Sequence, residues 1–255
     1  TPLSCLETYR DTHPELTGVP MAYAGRLDPM ASGKLLVLIG DECKHQAKYH
    51  GLDKEYEFSV LFGIESDTHD VLGRLQTCTL PPAMLSSDWA LRGASPSLTQ
   101  SDDTSPAITL QNICSELFGK IQLPYPIFSS KTVKGKPLHT WTLEGRLDEI
   151  EIPTNESTVY ALELTKLETK SRAHVCAEAR AKIDTIPPVT DLRKAIGNDF
   201  RREDVRADWE RIKNDDSLPQ EYLIAHFRCI ASSGTYMRSL AHLIGQKLNT
   251  CGLAW

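Results

Sequence analysis

The chain has 255 residues, and its 34 acidic side chains outnumber 28 basic ones for a formal net charge of −6. The length suits one sizeable domain, and the acidic balance excludes a surface that is basic throughout, leaving only local patches to hold a polyanion. No apolar run approaches the ~20 residues of a membrane span and no secretory pattern opens the chain, so a soluble cytoplasmic protein is expected. Seven scattered cysteines without a C-x-x-C pair argue for reduced thiols and against a disulfide framework or a zinc site.

Leu3, Leu6 and Tyr9 recur at helical spacing over residues 2–10. Gly18 and Pro20 mark a turn, followed by the loop Gly25-Arg26-Leu27-Asp28-Pro29. Lys34 to Gly40, KLLVLIG, is a continuous apolar run that predicts a strand buried on both faces. Residues 54–62 alternate, with Tyr56, Phe58, Val60 and Phe62 on one strand face. A polar stretch from Ile64 to Gly73, carrying Asp67 and Asp70, connects to a second strand near 74–80. Residues 81–107, rich in Pro, Ser and Asp, read as a surface insertion.

Thr109 then caps a helix whose stripe is Leu110, Ile113, Cys114, Leu117 and Phe118. Strands are expected at 158–167 and at 174–183, the latter alternating through Val175, Ala177, Ala179, Ala181 and Ile183. Residues 187–217 are charged and helical in pattern, a second insertion. A strand at 222–231 leads through Ser232-Ser233-Gly234 into a helix with Met237, Leu240, Ile244 and Leu248 on one side. Strands without regular β-α-β alternation, with a few covering helices, give an α+β class.

Dinucleotide, Walker A and nucleophile-elbow motifs are absent, so chemistry must come from ordinary side chains. Asp28 sits on a Gly/Pro-bounded loop that would hold a carboxylate rigid and accessible, as a nucleophile or base requires; an Asx turn is the plainer reading. Arg238 falls in the first turn of a helix, where the macrodipole disfavours a cation, so a buried carboxylate or a phosphate should compensate; an exposed ion pair is the plainer reading. Tyr56 either stacks on a base or fills the core. Asp67 and Asp70 lack a third ligand and read as a capped turn. Lys131, Lys134 and Lys136 form the candidate basic patch.

In order and spacing, four segments resemble motifs of the TruB-type tRNA pseudouridine synthases. YAGRLDPMASGKLLVLIGDECK, beginning at Tyr23, is similar to the family's G-x-L-D-P-x-A-x-G, apolar strand and G-x-x-x-K, which ends here at Lys44. Lys54-Glu55-Tyr56 with GIESDTHDVLG resembles the K-x-Y strand and its T-D-T-x-D loop. Leu117 to Gln122 with Pro126 and Ser129 resembles F-x-G-x-I-x-Q-x-P-P-x-x-S-A, and SSGTYMRSLAHLIG resembles S-x-G-T-Y-I-R-S-L-A-x-x-L-G. Lys131 follows Ser130 directly, one position before the family's lysine, and His139 stands where a tyrosine is usual.

The resemblance implies the pseudouridine synthase catalytic fold, a mixed and largely antiparallel sheet with flanking helices. It implies one catalytic domain over residues 1–255, interrupted by 81–107 and 187–217, cut short at both ends and without a C-terminal RNA-binding domain. Asp28 would be the catalytic aspartate, paired with Arg238, and Tyr56 would pack on the target base. Tyr23, standing where bacterial members carry histidine, together with Tyr236, Lys44, Lys54 and Lys131, would contact the RNA. A tRNA T-stem-loop is the expected partner of a monomer that needs neither cofactor nor metal. The alternative is a non-catalytic RNA-binding or RNA-folding protein of the same fold.

Overall fold

The computed structural model describes residues 2–25, 27–81, 105–188 and 201–255, and the chain divides into two compact units, Thr1–Lys54 and Glu55–Trp255. Among the described residues no helix is long and apolar enough to cross a membrane.

In the first unit, helix α1 (Pro2–Asp11) buries Leu6 but leaves Leu3 and Tyr9 exposed. A 3-10 turn, Pro14–Leu16, leads to strand β1 (Met21–Ala24), which pairs antiparallel with β2 (Leu36–Ile39) and sets Tyr23 opposite Val37. A 3-10 segment, Gly40–His45, and the short helix α2 (Gln46–His50) follow. The apolar run at 34–40 is not buried on both faces, as its composition predicts. Leu38 is buried while Leu36 and Ile39 are exposed, because a four-residue strand in a two-stranded ribbon has no sheet on either side to be buried in.

In the second unit, β3 (Lys54–Phe62) reproduces the expected strand, and β4 (Ile64–Ser66) and β5 (Leu75–Thr77) form a ribbon around the acidic loop. Helix α3 (Pro106–Glu116) follows, then β6 (Gly119–Pro124), the small ribbon β7 (Thr132–Val133) and β8 (Lys136–Pro137), and α4 (Leu138–Leu143). The 18-residue β9 (Thr154–Ser171), α5 (Arg172–Asp184), α6 (Arg202–Asn214), β10 (Glu221–Ala231), α7 (Met237–Lys247) and β11 (Gly252–Ala254) complete it. The sheet order is β11-β3-β10-β9-β6, and the β11/β3, β10/β9 and β9/β6 pairs are antiparallel. This is the expected α+β architecture.

Strand β10 is central, and Leu223, Ile224, Ala225, Phe227 and Cys229 are all at most 1% exposed. Each large apolar side chain of this kind contributes roughly 1.5–3 kcal/mol on burial.

Two further expectations are corrected. The expected strand at 174–183 is helix α5. Its alanines and long charged side chains favour helix, Val175, Ala179 and Ile183 fall every four residues on the buried face, and the Ser171 hydroxyl accepts from His174 N. Helix α3 begins earlier than Thr109, with Ser105 at the N-cap position, and Thr109 instead donates its hydroxyl to the Ser105 carbonyl. The charged segment, helical in pattern as expected, holds α6, which buries Val205, Asp208, Trp209 and Ile212. The remainder of that segment at 189–200, like 82–104, lies outside the described residues.

The thiols are also not all reduced. Cys78 and Cys251, 173 positions apart, form a disulfide. Gly63 brings them together: it accepts from Cys78 N at 3.0 Å and donates to the Cys251 carbonyl at 2.9 Å. Spacing along the chain carries no trace of a pair joined through a third segment.

Candidate active site

In the first unit, β1 carries Tyr23 to the mouth of the Asp28 loop, and the Tyr23 carbonyl accepts from Gln46 Nε2 at 2.8 Å. Gly25 turns the chain there with φ +89°, a conformation that favours glycine. The Lys54 side chain runs alongside, since a Cβ on Gly25 would lie 3.7 Å from Lys54 Cε. The Lys54 ammonium donates to the Leu52 carbonyl at 2.9 Å. Asp28 is partly exposed, and its carbonyl accepts from Ala31 N at 2.9 Å. That turn holds the backbone at the carboxylate. Lys44 pairs with Asp41 at 2.6 Å on a highly exposed surface, where such a pair contributes little.

The second unit gathers its polar atoms around Arg238. This side chain enters from the first turn of α7 and is only 9% exposed. Nη1 donates to the Thr68 carbonyl at 2.8 Å, and Nε lies 3.8 Å from Asp70 Oδ2. Asp70, 13% exposed, also accepts at Oδ1 from the Thr68 hydroxyl at 2.6 Å and from Leu72 N at 2.9 Å. The cation at a helix N-terminus thus has a largely shielded carboxylate facing it. Asp67 and Asp70 do make the expected capped turn, with Asp67 Oδ1 accepting from Arg74 N at 2.9 Å. A cation in the first turn of a helix requires an anion nearby, and the T-H-D triplet after Asp67 supplies one in Asp70.

The loop is tightly wound. His69 adopts φ +59°, and a Cβ at Gly73 would fall 2.5 Å from both Asp67 Oδ1 and Thr68 Oγ1. The His69 ring lies tilted against His242, with centroids 4.2 Å apart. Burial, then the neighbouring His242 and Arg238, push its imidazole down to about 4 against a lesser pull from Asp67. Burial lowers His242 too, opposed by Glu65.

Tyr236, immediately before α7, meets Tyr125 edge-on with centroids 5.7 Å apart, and the Lys131 ammonium lies 4.7 Å over the Tyr125 ring. The structure therefore brings Tyr236 and Lys131 together through Tyr125, which sequence reasoning missed. The expected basic patch divides. Lys136 pairs with Glu144 at 2.6 Å and lies over Trp141, while Lys134 donates to the Glu149 carbonyl. Tyr56 is half-buried on β3, two positions along the strand face from Phe58, which stacks on Phe227 at 5.3 Å.

Donor atoms of Glu65, Cys78 and Cys251 lie within 4.8 Å of one another, but the two sulfurs are bonded to each other and so do not present thiolates to a metal.

A family model described as the N-terminal domain of TruB family pseudouridylate synthase matches residues 17–106. The chain is similar to tRNA pseudouridine synthase B of Caldicellulosiruptor saccharolyticus, 28% identical over 80% of this chain and 67% of that protein. It is 34% identical to tRNA pseudouridine synthase B of Caldanaerobacter subterraneus over 57% of this chain and 43% of that protein. It is 27% identical to tRNA pseudouridine synthase 4 of Saccharomyces cerevisiae over 92% of this chain and 59% of that protein. The chain thus spans roughly two fifths to two thirds of the length of these relatives.

Proposed function

We propose that this chain is a pseudouridylate synthase of the TruB type and converts one uridine of RNA, the T-loop uridine of tRNA, to pseudouridine. The observation that carries the reading is the family match over residues 17–106, which takes in the Asp28 loop, the Lys54-Glu55-Tyr56 strand and the acidic loop that holds Arg238. The proposed setting is a cytoplasmic monomer acting on RNA.

The reaction is an isomerisation. The N1–C1′ glycosidic bond breaks, the uracil turns, C5 bonds to C1′, and the C5 proton leaves as N1 takes one up. Asp28 acts either by attacking C1′ or by removing the C2′ proton. Both roles need an ionised carboxylate. Arg238 is the catalytic cation, and Tyr56 packs on the target base. The uridine must leave its stack to reach these groups, at a cost of a few kcal/mol that base-stacking side chains such as Tyr56 and Tyr23 offset. Tyr236, Lys131, Lys44 and Lys54 contact the RNA, the lysines through phosphates.

The test is pseudouridine mapping in a panel of stem-loop RNAs incubated with the protein and with Asp28→Asn. The reading predicts modification at the T-loop uridine by the first and none by the second. Undiminished modification by Asp28→Asn overturns the assignment of that residue. RNA binding without isomerisation by the unmodified protein points instead to a non-catalytic RNA-binding role.

A further inference from the structure

The charged segment between the third and fourth motifs has a task that its surface-like composition hides. Helix α6 and the residue before it grip the Asp67–Arg74 loop at three places. Asp208 accepts from Arg74 Nε at 2.7 Å, from Arg74 Nη2 at 3.4 Å and from Leu75 N at 3.1 Å. Trp209, fully buried, donates its indole N–H to the Val71 carbonyl at 3.1 Å. Arg201 donates to both oxygens of Asp67, at 2.6 and 3.3 Å. The same loop supplies the Thr68 carbonyl and the Asp70 carboxylate that face Arg238.

We propose that Arg201, Asp208 and Trp209 are positioning residues for Arg238, acting through the Asp67–Arg74 loop. The proposal rests on the reading of Arg238 as part of the isomerase site and extends it to a segment that falls between the family motifs. A guanidinium that must meet its target within a fraction of an ångström needs its acceptors fixed. A loop with a left-handed residue at its centre keeps that conformation only where its surroundings hold it. Each grip fixes a different point: Arg201 the start, Trp209 the middle and Asp208 the end. The Asp208 carboxylate is suited to this. Burial works against its charge, but the Arg74 guanidinium, the Leu75 amide and Arg211 outweigh that and hold its pKa below the usual carboxylate range.

The test uses Asp208→Asn and Arg201→Gln, each removing one charged grip while leaving the apolar face of α6 intact. Two readouts are taken on variants whose circular dichroism and melting show a folded protein at assay temperature. The first is solvent exchange of the Arg238 Nε–H and of the Leu72 amide, followed by nitrogen-15 NMR. Both should accelerate in the variants, while amides of β10 keep their protection. The second is the kinetics of pseudouridine formation, in which kcat should fall roughly tenfold to a hundredfold with KM for the RNA little changed, as displacement of a catalytic group demands. Unchanged exchange at Arg238 and Leu72 overturns the proposal whatever the kinetics show, and leaves α6 as core packing alone. Accelerated exchange in a protein whose unmodified form makes no pseudouridine supports the coupling and instead removes the isomerase reading.

Discussion

The Nη1 of Arg238 donates to the Thr68 carbonyl at 2.8 Å while its Nε faces Asp70 at 3.8 Å. One planar guanidinium thereby meets a carbonyl and a carboxylate of the same loop, in a place 9% exposed. A lysine ammonium is a point charge without that fork. Arg238→Lys should therefore keep the charge and lose the geometry, with kcat/KM for pseudouridine formation down about a hundredfold, of the order seen when one oriented electrostatic group is removed. Steady-state kinetics on a T-stem-loop RNA check this; a loss below threefold would show that charge alone suffices.

His69 gives the fold an acid-sensitive point. Its folded-state pKa lies near 4, below the ordinary 6.5 of the unfolded chain, so the unfolded state binds the extra proton between those values. Its contribution is full above pH 6.5 and is lost as pH falls through about 4. The loss amounts to at most about 3 kcal/mol. Denaturant midpoints measured across that window should fall as the solution is acidified. His69→Asn, a residue that tolerates the left-handed backbone here, should flatten the slope. An unchanged slope in that variant would move the effect elsewhere.

The Cys78–Cys251 bond closes 173 residues of chain. Cross-links over long loops restrict the unfolded chain, and removal of a native one costs typically 2–4 kcal/mol. Cys78→Ser and Cys251→Ser, alone or together, should lower the melting temperature by similar amounts. Reductant should lower the parent's melting temperature and leave the double variant unmoved. Seven titratable thiols in the denatured, unreduced protein, the total in the sequence, would contradict the bond.

The candidate site residues stand out in the sequence because they lie in short ordered motifs, and the strands β3 and β10 were legible because their alternation and apolar content agree with their burial. Helix α5 was misread because an every-second-residue pattern of alanines satisfies a strand template, while the every-fourth spacing of Val175, Ala179 and Ile183 satisfies a helix, and periodicity alone does not arbitrate. The burial of α6 was hidden by its charges: Asp208 and Arg74 neutralise one another 134 positions apart. For the anion near Arg238 the helix dipole specifies a sign of charge and not a residue; the resemblance named Asp28, while Asp70, 3.8 Å from Nε, was read only as part of a capped turn.

Rejoining uracil to ribose through C5 expels the C5 hydrogen. The most direct measurement is therefore tritium release from a T-stem-loop RNA labelled at C5 of its uridines, incubated with the protein. Release is expected to be stoichiometric with the T-loop uridine and abolished in Asp28→Asn. Tight binding of that RNA with no tritium released would contradict it.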